Sequence, residues 1–189
     1  AAREAGQQLA RIHGLWGLWQ LARQNEQYAG KMVSFLEDKD PEMRAQAAKV
    51  LGDIRYRPAG QALIPLLQDA APRVRFFAAE ALGRIEYAPA VQPLIDLLAA
   101  NDDRDAFLRH AGALALARIG EAAPLLALAG HPSRALRLAA VVALRRMGDP
   151  GIARFLDDAD EWIVTEAARA INDDFSIEAA LPALARLLN

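Results

Sequence analysis

Arginine and aspartate recur along this chain of 189 residues at a spacing that lets them pair. Six residues separate the two in three places, which are Asp38 and Arg44, Asp69 and Arg75, and Asp103 and Arg109. Arg137 keeps the spacing with His131 in place of the aspartate. A guanidinium presents a planar fork of donors that suits a carboxylate, so these residues predict charge-assisted hydrogen bonds between neighbouring elements. The same arginines could clamp a phosphate or another oxyanion, but their regular period and their acidic partners favour a structural ladder.

Other reactive side chains are few and scattered. The histidines are His13, His110 and His131, and none is followed by glutamate. The absence of cysteine excludes disulfides, thiolate metal sites and thiol nucleophiles. The acidic run 157–161 has no glycine turn of the kind a calcium loop needs, so it reads as a solvated turn. We therefore predict no catalytic residue, no metal and no cofactor.

The elements that carry the arginines are repeated helices. The phrase Arg-x-x-Ala-x-x-Ala-Leu-x-x-Ile starts at Arg75, taken as phrase position 1, and looser copies start at residues 11, 44, 109, 137 and 164. A period of roughly 30 residues indicates stacked repeats, and the lack of two-residue alternation indicates helices. Positions 4, 7, 8 and 11 are small or apolar and form one helical stripe. Each unit pairs this helix with a shorter one, and several of the shorter helices contain or begin near a proline.

Charge and hydropathy narrow the range of partners. The chain has 22 basic and 24 acidic residues, a net charge of −2, which gives no general attraction to nucleic acid or anionic membranes. The arginine excess in residues 101–150 is too small to favour phosphate-dominated binding. Apolar runs are too short to cross a bilayer, so we expect no membrane insertion.

The repeat register resembles the HEAT-repeat family, particularly the short repeats of phycobilisome lyase-like proteins. That resemblance implies an all-α fold, an α-solenoid of about six stacked helix pairs, forming a single domain over residues 1–189. It also implies that the turn aspartates hydrogen-bond along the stack. HEAT-type di-iron hydroxylases carry repeated His-Glu pairs, which this chain lacks.

The two ends carry a second resemblance. Residues 8–23 and 161–188 are similar to the HEAT segment of large bacterial proteins that also contain a propeller-type dehydrogenase-like domain and a c-type haem domain. This implies a fragment of a larger periplasmic or secreted redox protein, and the localisation rests on the resemblance alone. The haem motif Cys-x-x-Cys-His is absent, so that chemistry does not reside in this segment.

Aromatic residues suggest where a partner binds. Trp16 occupies phrase position 6, which is polar in several later copies, and positions 3, 6 and 10 share one stripe that lines the concave surface in HEAT stacks. We predict a partner-binding strip of His13, Trp16, Phe77 and Glu80, since exposed aromatics are typical interface anchors. Alternatively, Trp16 and Trp19 cap an end of the solenoid or pack on another domain.

Two classes of function follow. The favoured one is a non-catalytic scaffold that binds a protein, either a separate partner or other domains of its parent chain. The alternative is a HEAT-like enzyme or binding module, either chromophore lyase-like or binding nucleic acid along the concave face.

Overall fold

The computed structural model describes residues 2–173 and 177–188. Throughout these ranges the chain is helical and contains no strand, which confirms the predicted all-α solenoid class. The α-helices of this part of the chain are α1 (Ala2–Ala22), α2 (Gln27–Val33), α3 (Pro41–Asp53), α4 (Gly60–Leu63), α5 (Pro72–Arg84), α6 (Val91–Asn101), α7 (Ala106–Ile119), α8 (Ala122–Leu126), α9 (Arg134–Met147), α10 (Glu161–Asn172) and α11 (Leu181–Ala185). Short 3-10 helices are Ser34–Glu37, Arg57–Ala59, Ile64–Gln68, Ala88–Ala90, Pro150–Asp157, Glu178–Ala180 and Arg186–Leu188.

The chain divides into two compact units. The first unit extends to Pro93 and the second begins at Leu94. The single domain over residues 1–189 stays a prediction, and each unit is described below by itself.

In the first unit, the phrase-bearing helices α1, α3 and α5 pack side by side with α3 in the middle. Residues such as Ala47, Leu51 and Leu82 are fully buried between them, as the helical stripe predicts. The α3–α5 contact is close because α3 carries Gly52, where a β-carbon would lie 2.7 Å from the Ala81 Cα. The shorter elements α2 and Ile64–Gln68 pack against α3 and α5 from the other side of the repeat.

The second unit repeats this arrangement with α7, α9 and α10. Helix α9 packs against both α7 and α10, and Pro150–Asp157 packs against α9 and α10. Leu116, Leu144 and Phe155 are among its largest buried side chains.

Helix boundaries follow from local chemistry. Side chains at the N-termini accept backbone N–H groups, as Asp40 does for α3 and Asp160 for α10, satisfying donors that the helix leaves unpaired. At the C-termini of α3, α5 and α9 the chain turns through a left-handed residue, with a hydrogen bond between the following N–H and a carbonyl five residues back.

Helix α1 departs from the predicted stripe. Positions 4, 7, 8 and 11 of its copy are not buried, and Leu21 is 44% exposed. The buried residues are instead Ile12, Leu15 and Ala22. The difference follows from packing. Helix α3 has a phrase-bearing helix on both sides, whereas within the first unit α1 has one only on the side facing α3, so the rest of its stripe stays exposed.

The short helices also differ from expectation. The sequence predicts shorter helices beside the phrase-bearing ones, but much of residues 60–69 and 149–156 is 3-10 helix. Pro65 lies at the start of Ile64–Gln68, directly after α4. A proline has no N–H to donate and its ring crowds the preceding turn, so the tighter 3-10 turn replaces regular α-helix there. Pro150 is the first residue of Pro150–Asp157, a position that proline tolerates in a helix, so it does not account for the 3-10 form of that segment.

Candidate partner-binding surface

The ladder arginines join one repeat to the next. Arg44 on α3 donates from Nε to Asp69 Oδ2 at 2.7 Å and from Nη2 to Oδ1 at 2.9 Å, a bidentate pair between successive repeats. Its Nη1 donates to the Asp38 carbonyl at 2.6 Å, so one guanidinium also holds the turn before its own helix. Asp69 in turn accepts from the Ala71 N–H at 2.8 Å. The hydrogen bond from Arg44 is the main reason that the pKa of Asp69 lies below its ordinary value.

Two further pairs have the same form. Arg11 donates to Asp38 in the first unit, and Arg137 Nε donates to Asp158 Oδ2 at 2.7 Å in the second. Arg137 Nη1 also reaches the His131 carbonyl at 2.6 Å. Each time, the arginine of one repeat bonds to the turn aspartate of the following repeat. These side chains are therefore engaged in structure rather than presented to a ligand.

His131 takes over one half of the aspartate's role. Its Nδ1 accepts the Ser133 N–H at 3.0 Å, as an aspartate oxygen does in the turns at Asp38, Asp69 and Asp158. It offers no carboxylate to the preceding repeat, and Arg109 pairs instead with Asp103, in the turn before its own helix, at 2.5 Å. Arg75 donates to the Asp69 carbonyl at 2.7 Å.

The structure brings His13 and Trp16 together on α1. Their rings meet edge to face with centroids 5.0 Å apart. Both residues are exposed, and 40% of Trp16 remains accessible. An aromatic pair one helical turn apart thus presents a large apolar edge to solvent.

A continuous chain of polar contacts links this pair to α5. Trp16 Nε1 donates to Gln46 Oε1 at 3.0 Å, and Gln46 Nε2 donates to Glu42 Oε1 at 2.7 Å. Arg73 Nε then donates to the other oxygen of Glu42 at 3.0 Å, and its guanidinium lies 5.0 Å from the Phe77 ring centroid. The predicted residues on α1 and α5 therefore flank α3 on one connected surface.

Glu80 lies one turn beyond Phe77 within a charged border. Arg84 Nη2 is 3.5 Å from Glu80, and Arg84 Nη1 donates to Asp53 at 2.5 Å. Lys49 Nζ donates to the same Asp53 carboxylate at 2.8 Å. We call His13, Trp16, Gln46, Phe77 and Glu80 the aromatic strip, bordered by these ion pairs.

The strip presents aromatic surface framed by paired charges. The cations and carboxylates that border it pair with one another, and Trp16 and Gln46 donate in fixed positions. Rigid aromatic side chains supply contact area at little cost in conformational entropy, a property of interface anchors.

Sequence reasoning identified the aromatic residues but missed the side chains that connect them. Glu42 and Arg73 occupy the same register, two residues before the anchors Arg44 and Arg75. The contact between Glu42 and Arg73 could have been predicted from their opposite charges at the same position of successive repeats, because equal positions become spatial neighbours when repeats stack.

Among the residues described, no group of three His, Asp or Glu side chains is placed to hold a metal ion. Within the same ranges, every helix is too short or too polar to cross a membrane.

The fold and the surface define a helical repeat protein of the solenoid class. Residues 30–117 match the family model for HEAT repeats. Comparison with curated protein sequences found no match.

Solved structures place the chain among similar repeat proteins. The complex of CpcE and CpcF of phycocyanin lyase from Nostoc sp. PCC7120 is similar at 26% identity and a TM-score of 0.56, over 85% of this chain and 68% of that chain. A HEAT-like repeat protein from Thermococcus onnurineus NA1 is similar at 17% identity and a TM-score of 0.62, over 89% and 76% of the two chains. A designed armadillo repeat protein in complex with the peptide (KR)4 is similar at 20% identity and a TM-score of 0.50, over 90% and 91%.

Proposed function

We propose that this chain is a non-catalytic scaffold that binds a protein partner through the aromatic strip of its first unit. The observation that carries the proposal is the exposed His13–Trp16 pair, joined by the Gln46–Glu42–Arg73 chain of contacts to Phe77. This arrangement holds aromatic anchors in place before any partner arrives, which reduces the entropy lost on binding.

Supporting evidence comes from the CpcE–CpcF structure. In it, a chain similar to this one is found in complex with a second protein chain. Arg73 and Arg84 beside the strip are paired with carboxylates, which gives phosphate groups little to bind and disfavours the nucleic-acid alternative. The periplasmic multidomain context remains a proposal that rests on the resemblance of residues 8–23 and 161–188.

An enzymatic function is the second candidate, and the phycocyanin lyase similarity is the observation that favours it. The strip offers no nucleophile paired with a base, which a covalent lyase mechanism would need. Incubating the chain with apo-phycocyanin and its chromophore tests this candidate, because covalent attachment would be seen as absorbance that survives denaturation.

The binding proposal is tested with an affinity column made from this chain and a lysate of its source organism. Proteins captured by the wild type are compared by mass spectrometry with those captured by Trp16→Ala and Phe77→Ala. We expect one partner to be depleted about tenfold or more in both variants, the scale for loss of an aromatic anchor.

Matched controls are Trp162→Ala and Phe107→Ala, which remove exposed aromatics from the second unit. These variants should retain the partner. If all four variants capture the same proteins in the same amounts, the strip is not the binding surface.

A further inference from the structure

A pocket of about 600 Å³ opens where the C-terminal ends of α1 and α3 meet. It lies one helical turn along α1 from Trp16 and is not part of the aromatic strip. Its lining residues are Trp19, Ala22, Arg23, Glu26, Asp53, Ile54, Arg55 and Tyr56. The volume falls in the range of sites that hold small organic molecules or a terminal residue of a peptide.

Arg55 has an unfavourable backbone conformation for its residue type. Its φ is +54°, at the turn that ends α3, and its N–H bonds to the Gly52 carbonyl. The corresponding turn after α9 uses Gly148 at φ +66°. A side chain costs stability in this region, where glycine does not. The turn after α5 also has a residue other than glycine at this position, Glu86 at φ +54°.

The Arg55 side chain has no charged partner. It is exposed and makes no hydrogen bond or ion pair with any described residue. Arg23 faces the same pocket and is likewise without an ion-pair partner in the described chain, its guanidinium lying 5.7 Å from the Trp19 ring centroid. Two guanidinium groups without a carboxylate partner line one pocket, which favours an anionic ligand.

The two acidic residues of the pocket, Asp53 and Glu26, do not neutralise its arginines. Asp53 is neutralised by Lys49 and Arg84. Glu26 is exposed and stands against two arginines, leaving a positive balance.

The remaining lining is apolar. Ile54, Trp19 and Tyr56 offer aliphatic and ring surface. The Trp19 indole N–H is buried and has no acceptor among the described residues. Because that nitrogen has no accessible surface, Trp19 offers a ligand its ring rather than its N–H.

We propose that this pocket binds a carboxylate carried on an apolar body. Arg23 and Arg55 pair with the carboxylate, while Trp19, Ile54 and Tyr56 contact the apolar part. The carboxylate has two sources, the C-terminus of a polypeptide or a free organic acid, and both share this chemistry.

The test uses three probes: N-acetyl-L-phenylalanine, its carboxamide, and 3-phenylpropionate. Each is titrated into the ¹⁵N-labelled chain, and the Trp19 indole N–H signal is followed by NMR after assignment with Trp19→Phe. Both acids should shift the signal in a saturable way and the amide should not. Tighter binding of N-acetyl-L-phenylalanine than of 3-phenylpropionate supports a peptide terminus, and equal binding supports a free acid.

Arg55→Gly tests the charged contact, and Arg57→Gln is its control. Arg55→Gly should weaken binding of the acids about tenfold, the scale of one charge-assisted hydrogen bond. The same change should raise the melting temperature, since glycine suits the left-handed turn, so loss of binding cannot reflect misfolding. Arg57→Gln removes an exposed arginine outside the pocket and should leave binding unchanged.

Three results would overturn the proposal. One is an equal response to the amide and the acid, and another is an equal effect of Arg57→Gln and Arg55→Gly. The third is the absence of any saturable shift at Trp19 with either acid.

Discussion

Trp16 couples the proposed binding surface to the stability of the fold. Because its ring is exposed, truncation of Trp16 would be expected to weaken partner binding without affecting stability. Its indole N–H, however, donates to Gln46 at 3.0 Å. Gln46 is only 8% exposed, and its Oε1 has no other donor among the described residues. Trp16→Phe keeps most of the ring and removes the donor, leaving a buried acceptor unpaired.

The expected cost follows from that acceptor. An unsatisfied buried polar group costs about 1–3 kcal/mol. Water can approach through the 40% of Trp16 that is exposed, which favours the lower half of the range, about 1–2 kcal/mol. This is well below the roughly 3–5 kcal/mol lost when a fully buried tryptophan is truncated.

Urea unfolding followed by far-UV circular dichroism measures this loss. Trp162→Phe is the matched control, because Trp162 is 51% exposed and its indole makes no hydrogen bond with any described residue. It should change the free energy of unfolding by less than about 0.5 kcal/mol. The double variant Trp16→Phe/Gln46→Leu should recover part of the loss, since it removes the unpaired acceptor. Equal effects of Trp16→Phe and Trp162→Phe would refute the reasoning.

Three other changes test the framework beneath the strip. Arg44→Ala should lower the free energy of unfolding by about 3 kcal/mol, because it leaves the half-buried Asp69 carboxylate without its partner. The control Lys49→Ala breaks an exposed i,i+4 pair and should cost about 0.5 kcal/mol. Similar losses for the two variants in denaturant titrations would contradict the structural role of the Arg44–Asp69 pair. Because the pKa of Asp69 is lowered from 3.8 on folding, its ionised form stabilises the fold above about pH 4, and this contribution is lost as the pH falls through the lowered pKa. Asp69→Asn should therefore flatten the acid side of a stability–pH profile, and an unchanged slope would show that the shift is not linked to folding. Gly52→Ala should destabilise the fold by about 1–3 kcal/mol, since the added β-carbon meets the α5 backbone at 2.7 Å. The control Gly17→Ala has open space around it and should be neutral or stabilising by up to about 1 kcal/mol. Thermal melts in which both variants lose stability equally would argue against the close α3–α5 packing.

The repeat and its helical character could be predicted from local pattern alone. The stripe that includes Ala47, Leu51 and Leu82 is visible as a spacing of small and apolar residues, and such spacing has one helical interpretation. The six-residue interval before the repeated arginines is also visible in the sequence. In the structure it corresponds to a hydrogen bond from Arg44 and from Arg137 to the carbonyl six residues earlier.

Which side chains meet across repeats was decided only in three dimensions. Sequence could not show that Arg44 bonds to Asp69 rather than to the Asp38 side chain, because that choice depends on the distance between stacked helices. The same holds for α1, whose buried side depends on which neighbour packs against it. The pocket was equally hidden, since it forms where residues 19–26 and 53–56 meet. Periodicity is a property of one helix and is written in its sequence, whereas a contact between helices depends on packing geometry, which no single helix encodes.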